Sequence, residues 1–319
     1  MIVDLPSTTT SAVNRKLVEV RVTGGAVALG RVLTLVIVTN DGDPTEDSID
    51  AANDASREHP CRVIVLARGA RRAAARLDAQ IRVGGDAGAS EVIVLRIYGP
   101  LADEGASMTV PLLLPDAPVV VWWPGEPPEV PAKDPIGELA HRRITDSAAA
   151  RSPIRSLTQR RRSYAPGDTD LAWSRVTLWR GLLAAALDLP PFEPVTKATV
   201  EGGAESPSAD LLAGWLAATL DVPVTRKITE DESGLYAVRM ERPSGEVALV
   251  RPDGRIGTLT QHGQPDRRVA LQRRHTRECL AEEMRRLDAD EIYQQALFGL
   301  EKVRRARSAG KPRPTKAEK

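Results

Sequence analysis

The run Val119-Val120-Val121-Trp122-Trp123, held between Pro118 and Pro124, admits few structures. Consecutive β-branched apolar residues suit a strand covered on both faces, and neither proline can donate a ladder hydrogen bond, so the strand is bounded at each end. Aromatic residues make up only 3% of the chain, and two of its five tryptophans stand here. Neighbouring side chains on an extended backbone point to opposite faces, so at most one ring is expected fully inside the core. The other either packs under the loop Glu126-Pro127-Pro128-Glu129-Val130-Pro131 or serves as an exposed partner anchor. Open α/β sheets bind ligands and partners at the carboxyl ends of their strands, which marks Trp122, Trp123, Pro124 and Gly125 as candidates.

The segments upstream supply a sheet for that strand. Arg31 to Thr39, a helix over Thr45 to His59 and Cys61 to Leu66 form a strand, helix, strand unit, and Pro60 ends its helix. Ala79 to Val83 alternates as an edge or one-faced strand, and Ser90 to Ile97 is apolar enough to be central. Leu101 to Leu114 is expected to be partly helical, Asp134 to Arg142 a short helix, and Arg143 to Ser147 the way out of the domain. At 319 residues the chain fits two domains. The expected organisation is a mostly parallel α/β sheet domain over 1–150, a basic connection over 151–169, an α+β domain over 170–303 and a disordered basic tail over 304–319. In the second domain Asp168-Thr169-Asp170 caps a helix from Leu171 to Asp188, and Pro207 to Leu220 is another. Four alternating segments between Val224 and Leu259 read as an antiparallel meander, and Thr276 to Val303 as a long closing helix. The fold class is therefore α/β followed by α+β.

Charge and motifs narrow the chemistry. A formal net charge of +1 argues against a whole-protein grip on nucleic acid or membrane, and no window approaches a membrane span. Cys61 and Cys279, expected in different domains, give no disulfide framework, which fits a reducing cytoplasmic setting. The turn Asn40-Asp41-Gly42-Asp43-Pro44 has acids where a pyrophosphate needs glycines, and Gly84-Gly85-Asp86-Ala87-Gly88 joins two strands instead of opening a helix. The four histidines show no metal spacing, and His275 with Cys279 reads as helix surface. No catalytic residue, cofactor site or metal site is expected. The strongest local charge feature is Arg160-Arg161-Arg162 with Arg155 and Arg151, which reads as solvated linker or as a contact for an acidic or phosphate-bearing partner.

Four short segments in order carry a resemblance: His59-Pro60-Cys61-Arg62-Val63-Ile64-Val65-Leu66; Leu114-Pro115-Asp116-Ala117-Pro118 with Trp122-Trp123-Pro124-Gly125; Asp170-Leu171-Ala172-Trp173-Ser174-Arg175 with Trp179-Arg180; and Leu211-Leu212-Ala213-Gly214-Trp215-Leu216. Over residues 2–303 the chain resembles the glucose-6-phosphate dehydrogenase assembly protein family, OpcA, in its actinobacterial form. The resemblance implies a non-catalytic protein that binds glucose-6-phosphate dehydrogenase and promotes its active oligomer. Cyanobacterial members are associated with thiol-linked control; here Cys61 and Cys279 meet only if the two domains bring them together. Trp122, Trp123, Pro124, Gly125, Arg155, Arg160, Arg161 and Arg162 are the expected partner contacts, since tryptophan and arginine dominate interface energetics. A rival expectation is a sugar-phosphate or nucleotide-binding enzyme with its pocket near Asp41, Asp116 and Gly125.

Overall fold

A computed structural model describes residues 1–23, 30–40, 43–84, 91–229 and 234–307. The chain divides into two compact units, Met1–Arg175 with Arg274–Glu291, and Val176–Arg273 with Ile292–Lys319. The turn residues Asp41 and Gly42, the glycine-rich segment from Gly85 to Gly88 and the basic tail from 308 onward lie outside the described residues.

The first unit begins with β1 (Ile2–Leu5), α1 (Thr10–Thr23), β2 (Leu33–Asn40), α2 (Thr45–Ala55) and β3 (Cys61–Arg68). It continues through β4 (Arg76–Arg82), β5 (Glu91–Tyr98), α3 (Gly105–Thr109), β6 (Val119–Trp123), β7 (Arg142–Thr145), α4 (Pro153–Ser163), β8 (Asp168–Asp170) and α5 (Leu171–Ser174). These strands make one sheet in the order β1-β4-β5-β3-β2-β6-β7-β8. From β5 to β8 every neighbouring pair is parallel, and only β4 runs against the rest, pairing antiparallel with both β5 and β1. Glu46 and Asp47 in the first turn of α2 complement its dipole, and α2 carries the crossover between β2 and β3.

Each face of this sheet holds its own core. On one face Leu35, Ile37, Val63, Val65 and Ile49 gather around Trp122. On the other, Val36, Val38, Ile64, Leu66 and Ile136 gather around Trp123. Both rings are therefore buried, at 1% and 2% exposure, which corrects the expectation that one would be left outside. Two-sided covering lets adjacent residues on one strand both be core residues.

Three expectations for this unit change. The stretch 151–169, expected as a connection, contains α4 and β8. Of the helix expected over 134–142 only a three-residue 3-10 turn of helix, Gly137–Leu139, is present, and β7 takes Arg142 together with most of the expected exit. Of the two readings of the β4 segment the one-faced strand holds, since its burial alternates, and the edge position is taken by β1. β7 and β8 were illegible because they are short and polar. Their charges are buried in pairs instead of being exposed: Arg143 donates to Asp168, and Arg142 to Glu283.

The second unit runs through α6 (Thr177–Leu187), β9 (Lys197–Gly202), α7 (Pro207–Leu220), β10 (Val224–Ile228), β11 (Leu235–Arg242), β12 (Gly245–Val250), β13 (Ile256–Gln261) and β14 (Arg267–Ala270). The chain then returns to the first unit as α8 (Thr276–Arg285), before α9 (Glu291–Gly299) and β15 (Val303–Arg307). The expected closing helix is thus broken at 286–290, and the segment expected as the start of the tail makes a strand. The second sheet has the order β14-β13-β12-β11-β9-β10-β15. Three of the four segments of the expected meander, β11, β12 and β13, pair antiparallel and β14 extends them, whereas the fourth, β10, is parallel to both β9 and β15. Ser206 caps α7 by accepting from the Ala209 amide, and Pro207 occupies its first turn. Beneath α7, Arg226 is 1% exposed and donates from Nε to Asp210 Oδ1 at 2.9 Å.

Candidate functional site

At the carboxyl end of β6 the chain leaves the sheet through Pro124 and Gly125, both half-buried. A side chain at Gly125 would meet the Asp43 carboxylate at 3.4 Å, so the loop passes close over that acid. Beyond it, residues 126–131 lie against α4. That helix starts with Pro153 in its first turn, where a missing N–H costs nothing.

Arg160 fastens the loop to the helix. Its Nη2 donates to the carbonyl oxygens of Pro128 and Glu129 at 2.9 and 3.1 Å, and Gln159 Nε2 donates to the Glu129 carbonyl at 3.1 Å. At the start of α4, the Arg151 amide donates to Glu126 Oε1 at 2.5 Å. Between loop and helix lies a groove of about 480 Å³. Arg151, Ser152, Arg155 and Ser156 line the helix wall, and Glu126 and Glu129 stand on the loop wall.

A polar network underlies the groove at the carboxyl ends of β7 and β8. Asp170 Oδ2 accepts from Thr145 Oγ1 at 2.7 Å, from the Ser147 amide at 2.9 Å and from Ser147 Oγ at 2.6 Å. Its Oδ1 accepts from the Ala172 amide at 2.9 Å and so caps α5, while the single helix expected over Leu171–Asp188 is split, α5 ending at Ser174 and α6 starting at Thr177. Burial, and then the neighbouring Asp146 carboxylate, push the Asp170 carboxyl up to about 6. Asp146 in turn takes a bidentate pair from Arg175, 2.7 Å on each arm. Ser156 Oγ donates to Ser147 Oγ at 3.3 Å and so joins α4 to this network. Of these groups only Ser156 reaches the groove.

The candidate residues therefore separate. Trp122 and Trp123 are core side chains. Arg160 is 6% exposed and its guanidinium holds the loop. Arg155 and Arg162 are exposed, and among the described residues neither makes an ion pair or hydrogen bond through its side chain; Arg161 is half-buried. Asp116 and Gly125, expected to share one pocket with Asp41, lie at opposite ends of a single strand, Asp116 before β6 and Gly125 after it, and Asp41 lies outside the described residues. Cys61 and Cys279 are both buried in the core that surrounds Trp122, which corrects their assignment to separate domains. Burial pushes the Cys279 thiol up to about 12, and it is core, not helix surface, while His275 is exposed. Among the described residues no group of histidine, cysteine and carboxylate side chains is arranged to hold a metal, and no helix is long and apolar enough to cross a membrane.

Sequence reasoning missed the Asp146, Ser147, Asp170 network and the Arg142 pairing with Glu283. The signal available was two clusters, Thr145-Asp146-Ser147 and Asp168-Thr169-Asp170, whose polar residues were too dense for a plain linker.

Two family models match the chain in order, and they describe the two domains of a glucose-6-phosphate dehydrogenase subunit. The model of the N-terminal domain matches residues 52–162, and the model of the C-terminal domain matches residues 166–297. No curated protein matches the sequence. Among solved structures, KijD10, a 3-ketoreductase from Actinomadura kijaniata in complex with NADP and TDP-benzene, is 9% identical, with 86% of this chain and 99% of that chain covered and a TM-score of 0.46. An NAD binding oxidoreductase from Klebsiella pneumoniae is 11% identical, with 86% and 96% covered and a TM-score of 0.41. An oxidoreductase of the Gfo/Idh/MocA family from Vibrio cholerae is 9% identical, with 84% and 94% covered and a TM-score of 0.31. Likeness at that level carries no argument about activity.

Proposed function

The chain belongs to the glucose-6-phosphate dehydrogenase assembly family, and on that premise we propose that it is a non-catalytic partner that binds the dehydrogenase in the cytoplasm and promotes its active oligomer. The observation that carries the reading is the ordered match of both domain models over most of the chain. An activator of this kind works by binding the active arrangement of the dehydrogenase more tightly than the inactive one, since only that difference shifts the equilibrium. Greater NADPH supply through the oxidative pentose phosphate pathway follows from it.

The contact surface we assign is the outer side of α4 with the loop after β6. Arg155 and Arg162 are exposed and uncommitted, Arg161 stands between them, and Pro124 and Gly125 lead into the loop that Arg160 pins in place. Trp122 and Trp123 support this surface from below as packed core and do not touch the partner. A cationic helix face of this kind fits an acidic patch on the dehydrogenase and gives an association that weakens with added salt.

The test is a mixture of the chain with the dehydrogenase of the same organism, followed by size-exclusion chromatography with light scattering. A co-eluting complex of defined ratio, weakened by Arg155→Glu together with Arg162→Glu, is expected. Two independently eluting species at low salt would remove the reading.

A further inference from the structure

We propose that the groove between α4 and the loop after β6 binds a small phosphate monoester that carries hydroxyl groups, in a site separate from any chemistry on the dehydrogenase. The proposal rests on the groove alone and requires no partner.

The helix wall is made of donors. Arg151 and Arg155 stand four residues apart at the start of α4 and both line the groove, and among the described residues neither guanidinium has a partner. The Ser152 hydroxyl beside them is likewise uncommitted. A guanidinium presents a planar fork that matches two oxygens of a phosphate, and two such forks on one wall can share a dianion.

The facing wall is made of acceptors. The Glu129 carboxylate is exposed and makes no hydrogen bond among the described residues, and Glu126 stands near it on the same loop. Carboxylates repel phosphate but accept from hydroxyl groups. A ligand with its anionic group toward Arg151 and Arg155 and its hydroxyls toward Glu126 and Glu129 satisfies both walls, whereas a bare anion satisfies one. The volume of about 480 Å³ agrees, since it lies within the range of small-molecule sites and exceeds what a lone phosphate fills. The floor is fixed: Arg160 holds the loop wall at the Pro128 and Glu129 carbonyls, and Ser156 is tied to Ser147. Little ordering is therefore needed on binding.

Isothermal titration of the purified full chain with glucose 6-phosphate, inorganic phosphate and glucose tests this. Glucose 6-phosphate is expected to bind saturably at one site and about tenfold more tightly than inorganic phosphate, with no heat from glucose. Arg155→Ala should weaken the hexose phosphate by about tenfold or more, and Arg151→Ala similarly, while Arg162→Ala, outside the groove on the same helix, should leave it unchanged. Glu129→Gln should reduce the advantage of the hexose phosphate over phosphate. All four positions are exposed, so circular dichroism should show each variant folded. No saturable binding of either phosphate compound, equal affinity for the two, or equal losses in Arg155→Ala and Arg162→Ala would each overturn the proposal.

Discussion

Arg160 reaches from the last turn of α4 to the backbone of Glu129, donating from Nη2 to its carbonyl oxygen at 3.1 Å. A second bond from the same nitrogen to the Pro128 carbonyl, at 2.9 Å, makes this one buried side chain the clasp between helix and loop. The shape of the groove and the position of the proposed contact surface both depend on it. Arg160→Ala leaves the Pro128 carbonyl without its donor and the Glu129 carbonyl with Gln159 alone, and should lower stability by about 1–3 kcal/mol. Urea denaturation of the variant measures the loss; an unchanged midpoint would mean that the loop is held by other contacts.

Trp122 and Trp123 fill opposite faces of one strand, so truncating either opens a cavity in a separate core. Trp122→Ala and Trp123→Ala should each cost about 3–5 kcal/mol. Neither indole nitrogen has a hydrogen-bond partner among the described residues, so Trp122→Phe and Trp123→Phe remove a buried unpaired N–H along with some packing and should cost much less. The folded phenylalanine variants should bind the dehydrogenase as the parent chain does. Loss of binding in a folded Trp122→Phe protein would return the ring to the interface.

The two thiols should be inert. Cys61 and Cys279 are fully buried, and the thiolate form of Cys279 is suppressed by desolvation, which moves its pKa to about 12. Titration of the native chain with a thiol reagent at neutral pH should label neither cysteine, and both should react after unfolding in guanidinium. Rapid labelling of one native thiol would reopen thiol-linked control.

Asp170 provides a pH signature. Its folded pKa of about 6 lies above the roughly 3.9 of an unfolded aspartate, so the native state holds the proton more tightly. The stability this contributes is present below the unfolded value and is lost as pH rises through about 6. Asp170→Asn lacks that titration, so the stability gap between parent and variant should be wider at about pH 4.5 than at about pH 7. Thermal unfolding at the two pH values measures it, and a gap that widens toward neutral pH would reverse the sign argued from burial and Asp146.

The central sheet was legible because its strands obey the pattern rules. β2, β3, β5 and β6 are apolar runs bounded by turns or prolines, and the crossover through α2 follows from their spacing. β7 and β8 escaped because Arg142, Arg143, Asp168 and Asp170 look solvent-facing in a sequence and are buried with partners that include residues 23–141 positions away. The same reason hid the role of Arg160: a run of three arginines reads as one charged feature, whereas the helix turns one of them into the structure and leaves Arg162 outside. For the tryptophans, the alternation rule was sound, but a strand covered on both sides has two interiors.

The most direct test of the account is the rate of glucose-6-phosphate dehydrogenase from the same organism, measured at fixed enzyme while this protein is titrated in and the size of the enzyme is followed by light scattering. Saturable activation at a fixed ratio, accompanied by growth of the enzyme to a defined larger assembly and lost with Arg155→Glu and Arg162→Glu together, is the predicted result. An unchanged rate and an unchanged assembly at saturating protein would contradict it.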